Sequence, residues 1–221
     1  MEIFFFLAMT LCALFSFCFG LRWFFSKGLP QYALMVIFGS GCAMLGRMFE
    51  TLLFLIRQEI QGGFHVGMLG IMGSFLFFLA ANYGTIDSLV DDGSKNFRKY
   101  RLIALSAPAL VFAIFMLYLR HVGIAPEVIM NSLLTVVIMF ASYYHMKHLI
   151  IPDVEQGFIG YIRRYNLLAL IYAFLCMHEI AFTVNYAPQV VQHGIYVAFC
   201  VIYVLFIPAL YKGVKQWQST I

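Results

Sequence analysis

The chain has 221 residues, of which 63% are hydrophobic and 11% charged, and its mean hydropathy is +0.89. An ordinary soluble domain carries about 25% charged and about 45–50% apolar residues, so this composition excludes that class. The net charge of +4 could suggest a nucleic-acid partner, but the placement of the basic residues follows a membrane topology instead, and a nucleic-acid role is excluded.

Seven apolar runs fill nearly the whole chain, over residues 3–25, 32–56, 66–86, 103–119, 128–144, 166–186 and 194–211. Crossing about 30 Å of hydrocarbon takes about 20 mainly apolar residues. The expected fold is an all-α membrane protein, a seven-transmembrane helix bundle forming one domain over residues 1–221. The runs are continuous rather than alternating, which argues against a β-barrel. Little chain is left over for a soluble domain.

The first run follows Met1 and Glu2, with no basic leader, and Arg22 and Lys27 come after it. A cleaved signal peptide has the reverse polarity, so this run reads as a retained helix. The second run holds Gly39, Ser40, Gly41, Cys42, Ala43 and Gly46, and the third Gly67, Gly70, Gly73 and Ser74. Small residues let helix backbones approach closely in lipid. Pro30-Gln31 and Pro188-Gln189 look like a repeated motif, but they fall on opposite sides of the expected bundle, which a parallel repeat forbids.

The third run ends in Asn82, Tyr83, Gly84, Thr85, Ile86 and Asp87, followed by a polar turn through Asp91, Asp92, Gly93 and Ser94, with Gly84 or Gly93 as the helix cap. Lys95, Arg98, Lys99 and Arg101 come next. Such a run suits anionic headgroups of the lipid bilayer or, alternatively, a cytoplasmic partner. Pro108 and Pro208 predict local kinks in the fourth and seventh helices. His145 and His148, at i and i+3, read as interfacial residues that complement a helix C-terminus, with metal binding as the alternative. Cys12, Cys18, Cys42, Cys176 and Cys200 all lie within spans and read as small packing residues. Connections are short, so consecutive helices should be neighbours.

Of the 14 Lys and Arg residues, Arg22, Lys27, Lys95, Arg98, Lys99, Arg101, Lys147, Arg163, Arg164, Lys212 and Lys215 belong to one set of loops and helix ends. Arg57 and Arg120 belong to the other, and Arg47 lies within a span. Cytoplasmic segments carry the Lys/Arg excess, which places the N-terminus outside and the C-terminus in the cytoplasm of a plasma or inner membrane.

Function should follow from ionisable residues at membrane depth, because these are costly and usually face a bundle interior or a wet cavity. Arg47, Glu50 and Thr51 share one face of the second helix. On the sixth, Tyr172, Cys176, Glu179, Thr183 and Tyr186 form a polar stripe, with His178 rotated about 100° from Glu179. At about 1.5 Å per residue, Arg47, Glu50, His178 and Glu179 lie at similar depth. Asn131 and His65 could extend a pocket outward, and His193 and Tyr196 could close it. The expected ligand-binding set is Arg47, Glu50, Thr51, Asn131, His178 and Glu179.

Specific chemistries narrow the choice. No lysine stands at mid-membrane in the seventh run, which argues against retinal. His65, Glu50, His178 and Glu179 offer atoms for a metal, but without an HExxH or HxxxH spacing. No GxSxG motif is present. The leading expectation is a ligand-sensing or signalling membrane protein, with an outward-facing polar pocket between helices 2, 3, 5, 6 and 7. The alternatives are a small-solute or proton-coupled transporter, whose polar groups would continue to the inner face through Ser74, Asn82 and Tyr83, and a metal-dependent enzyme acting on lipid.

Overall fold

A computed structural model describes residues 2–25, 29–57, 65–122, 126–152, 157–182 and 188–219. Seven long helices stand among the described residues: α1 (Glu2–Phe24), α2 (Gln31–Arg57), α3 (Val66–Ala81), α4 (Ser106–Val122), α5 (Pro126–Ile150), α6 (Phe158–Phe182) and α7 (Gln189–Gln218). There is no strand among the described residues. Six helical stretches are long and apolar enough to cross a membrane, and α6 adds a further 25 residues of helix. The architecture is that of a helical membrane bundle. The loops at 58–64 and 123–125, and the end of the sixth expected span at 183–186, lie outside the described residues.

Sequence period explains which faces turn inward. On α1 the buried residues are Phe6, Met9, Ala13, Ser16, Gly20 and Trp23, spaced three or four apart. On α7 the corresponding stripe is Tyr196, Phe199, Tyr203, Phe206 and Leu210. The opposite faces expose large apolar side chains on every helix, among them Leu11, Leu45, Leu69, Leu110, Phe140, Leu167 and Val201. A soluble monomer rarely exposes so much contiguous apolar surface, whereas a lipid-facing bundle requires it.

The helices form a ring in the order α1, α2, α3, α5, α6, α7, closing on α1, with α4 outside against α5 and α6. The expectation that consecutive helices are neighbours therefore fails at one place: α3 packs beside α5 rather than α4. The tightest seam is α2 against α3. A Cβ added to Gly70 would stand 2.7 Å from Gly46 Cα, and one added to Gly46 would stand 2.6 Å from the Gly67 carbonyl. Only glycine permits that approach.

Between α3 and α4 the chain is irregular for a reason. Asn82–Asp87 is a π-helical turn, followed by the short helix Ser88–Val90, a 3₁₀ turn at Lys95–Phe97 and a helical segment at Arg98–Ala104. The Thr85 hydroxyl donates to the Ala81 carbonyl within the widened turn. Gly93, at φ +77°, takes the left-handed position, while Gly84 lies inside the π turn. Asp91 and Asp92 side chains accept from the Gly93 and Ser94 amides at 3.0 and 2.8 Å, forming Asx turns. The helix then breaks at Leu105, because Pro108 has no N–H to offer the carbonyl of Ala104. At Pro208, by contrast, α7 runs on through the proline without a break.

Candidate functional site

Two buried polar clusters stand at different depths of the bundle. The first lies toward the end opposite the basic loops. On α2, Arg47 and Glu50 sit one turn apart and are 1% and 3% exposed. Arg47 Nη1 donates to Glu50 Oε2 at 2.7 Å, closing the pair expected within one helix. It also donates to Glu179 Oε1 on α6 at 2.7 Å, and Nη2 donates to Glu179 Oε2 at 2.7 Å. This is the bidentate fork that a guanidinium and a carboxylate favour. Arg47 Nε donates to the Tyr203 hydroxyl of α7 at 2.9 Å, and the guanidinium lies 4.3 Å from the centre of the Phe199 ring. One cation therefore joins α2, α6 and α7 across the bundle interior.

The expected site residues divide when their partners are traced. Arg47, Glu50 and Glu179 come together. His65, which precedes α3, brings Nε2 to 3.8 Å from Glu50 Oε1. Its burial holds the imidazole below the ordinary histidine value, against the opposing pull of the Glu179 carboxylate. Thr51 turns to α1 instead, with its hydroxyl 2.7 Å from that of Thr10. Asn131 on α5 donates to the Tyr118 hydroxyl of α4 at 2.8 Å. His178 Nδ1 donates to the Phe174 carbonyl one turn back along α6 at 2.8 Å. Among the described residues no group of three or more His, Cys, Asp or Glu side chains is arranged to hold a metal ion.

Charge counting gives this cluster its character. Arg47 meets two carboxylates, so the trio carries one negative charge in excess when both are ionised. Little room surrounds it. The side chains of Glu179 and His65 are each 14% exposed, whereas that of Arg47 is 0% exposed. Glu179 and His65 are thus the more exposed members of the cluster and Arg47 the enclosed one.

An aromatic layer lies beneath. Tyr172 stacks on Phe75 at 5.0 Å between ring centres and packs edge-on against Phe199 and Tyr203. Phe78 and Phe206 continue the layer at 5.1 Å. Within it is a cavity of about 10 Å³, bordered by Ser16, Ser40, Phe78, Tyr172, Tyr203 and Phe206. That is the size of a single water.

The second cluster lies in the basic half. Asn82, at the start of the π turn, donates to the Phe78 carbonyl at 3.0 Å, and its Oδ1 accepts from His148 Nδ1 at 2.8 Å. His145 Nδ1 donates to Asn166 Oδ1 at 2.8 Å. Lys147 Nζ reaches Asp87 at 2.6 Å and Asp91 at 2.7 Å, and Arg101 Nε stands 3.6 Å from Asp91. His145 and His148 are fully buried within the bundle. The π turn lets Asn82 and Asp87 face α5 together. Here two cations meet two carboxylates, so the cluster is balanced and ties the irregular segment to the bundle. Ser74 bonds only to the Ile71 carbonyl of its own helix, and Tyr83 is 61% exposed. Of the expected inward path, Asn82 alone enters a buried network.

Tyr203 and Tyr32 were not legible as polar partners in a hydropathy profile. The signal for Tyr203 is the spacing Tyr196, Phe199, Tyr203, Phe206, which marks one inward stripe carrying hydroxyls. Against known protein families, curated proteins and solved structures, the chain has no match.

Proposed function

We propose that the chain is an integral membrane sensor of small cationic ligands, with the Arg47–Glu50–Glu179 cluster as its receptor site. The observation that carries this reading is the fork between Arg47 and Glu179, a buried cation outnumbered by carboxylates, of which Glu179 is the more exposed. An ammonium group would join the excess carboxylate, whereas an anion would have to displace bonds that already engage Nε and both terminal nitrogens of Arg47. The positive-inside distribution supports an outward-facing site with the N-terminus outside.

Signalling follows from where the fork stands. α2 and α6 are not adjacent in the ring, so the Arg47–Glu179 pair bridges the bundle. A ligand that competes for Glu179 would change the relation of those helices, which is the differential contact a two-state response needs. α2 carries Tyr32 near its other end, whose hydroxyl donates to Asn82 at 3.5 Å, so the same helix touches the cytoplasmic-side network.

A second reading is a proton-coupled carrier. It is favoured by one observation, the buried Asn82–His145–His148–Asp87 network in the other half of the bundle. The aromatic layer between the clusters favours the sensor. Purified protein in proteoliposomes separates the two. A sensor gains thermal stability with a small amine but does not pass that amine, or protons, across the membrane. Amine-dependent uptake or proton movement would replace the sensor reading with the carrier.

A further inference from the structure

A groove of about 640 Å³ runs between α6 and α7 at the basic end, lined by none of the residues of the Arg47 cluster. At its mouth stand Arg164 of α6 with Lys212 and Gln216 of α7, all exposed. Its other walls are apolar: exposed Leu167 on α6, and Leu205 and Pro208 on α7. Leu205, Pro208, Lys212 and Gln216 repeat at three- and four-residue spacing, so they form one continuous stripe along α7. From Leu205 to Lys212 the stripe rises about 10 Å. The floor is a close crossing of the two helices. A Cβ on Gly213 would stand 2.3 Å from the Tyr161 carbonyl, so the backbones touch there and the flanking side chains splay to leave the trough.

Among the described residues no acidic side chain pairs with the cations of this trough, Arg164 and Lys212. α7 contains no acidic residue, and the one acid of α6, Glu179, is bonded to Arg47 near the opposite end. Lys147 and Arg101, also at the basic end, are paired with aspartates. An exposed arginine and lysine above an apolar channel, on a chain with membrane-spanning helices, match one occupant in both halves. The cations suit a phosphate oxygen, and the trough suits acyl chain.

We infer that the α6/α7 groove is a binding site for an anionic phospholipid, with Arg164 and Lys212 on the headgroup phosphate, Gln216 donating to its oxygens, and an acyl chain against Leu167, Leu205 and Pro208. Basic pockets between transmembrane helices hold lipid headgroups through this combination of charge and depth. The site stands apart from the Arg47 cluster and does not depend on the sensor reading.

Delipidated protein in neutral detergent, titrated with phosphatidylglycerol, phosphatidylcholine or glycerol 3-phosphate and read by native mass spectrometry and thermal shift, tests it. The wild type should prefer phosphatidylglycerol and show no shift with glycerol 3-phosphate. The double variant Arg164→Gln/Lys212→Gln should bind phosphatidylglycerol about 25-fold more weakly, at about a factor of five per cation. Arg57→Gln/Arg120→Gln removes the same charge from exposed positions at the opposite end of the bundle and should keep wild-type affinity. All four positions are exposed, so both variants should fold. The inference is overturned if the groove variant keeps wild-type affinity, or if the control variant loses as much. It is equally overturned by a wild type that does not distinguish the two lipids, or by glycerol 3-phosphate binding as tightly as the lipid.

Discussion

Arg47 on α2 and Glu179 on α6 meet through two parallel hydrogen bonds of 2.7 Å each, although their helices are not neighbours in the ring. Arg47 is 1% exposed; the Tyr203 hydroxyl of α7 accepts from its Nε, and the Phe199 ring covers the guanidinium face. Removing one partner of a buried pair leaves the other charged and unsolvated.

That geometry predicts a large asymmetry between two arginines of the same helix. Arg47→Ala strands Glu50 and Glu179, and breaking such a pair costs about 3–5 kcal/mol. Arg57 is exposed at the helix end, and substitution there is worth about 0.5 kcal/mol or less. Thermal unfolding in detergent should therefore show a far lower midpoint for Arg47→Ala than for Arg57→Ala. Equal shifts would mean that Arg47 is not held by its carboxylates.

A second comparison separates two adjacent residues at the π turn. Asn82 is buried and serves His148 and the Phe78 carbonyl, while Tyr83 is exposed and packs at a tilt against Tyr144, 5.4 Å between ring centres. Asn82→Leu leaves buried polar atoms without partners, at about 1–3 kcal/mol. Tyr83→Leu keeps an apolar surface toward lipid. Midpoints from the same assay should fall for Asn82→Leu and stay near wild type for Tyr83→Leu. The reverse order would remove Asn82 from the centre of the network.

Much of this arrangement can be read from the sequence, and the parts that cannot share a cause. Hydropathy reports depth, so the apolar runs, the similar depth of Arg47, Glu50 and Glu179, and the glycines of the α2/α3 seam are all legible. It does not report which way a residue points around a helix it cannot see packed. Thr51 and Asn131 have the right depth but face α1 and α4. The π turn adds a residue to one turn of α3, which redirects Asn82 and Asp87 toward His148 and Lys147. A helix period of 3.6 cannot anticipate that. Nor does a profile of apolar runs reveal that α3 lies beside α5, since lateral order depends on side-chain shape.

Acid should act on the stability of the outer cluster through His65. Its burial depresses the imidazole below the ordinary value of about 6.5. The folded state therefore binds a proton less readily than the unfolded chain. Stability is fully present above the ordinary value and is lost as pH falls through the depressed one. In His65→Gln the melting midpoint should fall less steeply between neutral and mildly acidic buffer than in wild type. An identical slope in both proteins would remove His65 from the acid response.

Orientation has its own test in a cysteine-free background. Single cysteines at Phe97, beside the basic run, and at Gln61, between α2 and α3, are exposed to an impermeant maleimide in intact cells or spheroplasts. The positive-inside distribution predicts labelling at position 61 and protection at position 97 until the membrane is opened. Labelling at 97 with protection at 61 would invert the bundle and turn the Arg47 cluster toward the cytoplasm.

The most direct measurement of the central claim is the binding of a panel of small amines and carboxylates to purified wild type and to Glu179→Gln, by calorimetry at neutral and mildly acidic pH. A cation site at the Arg47–Glu179 fork predicts that an amine binds wild type at neutral pH, weakens on acidification and is lost in Glu179→Gln, while Asn131→Ala binds as wild type does. An amine that binds Glu179→Gln with undiminished affinity, or a panel in which only carboxylates bind and bind better in acid, would contradict it.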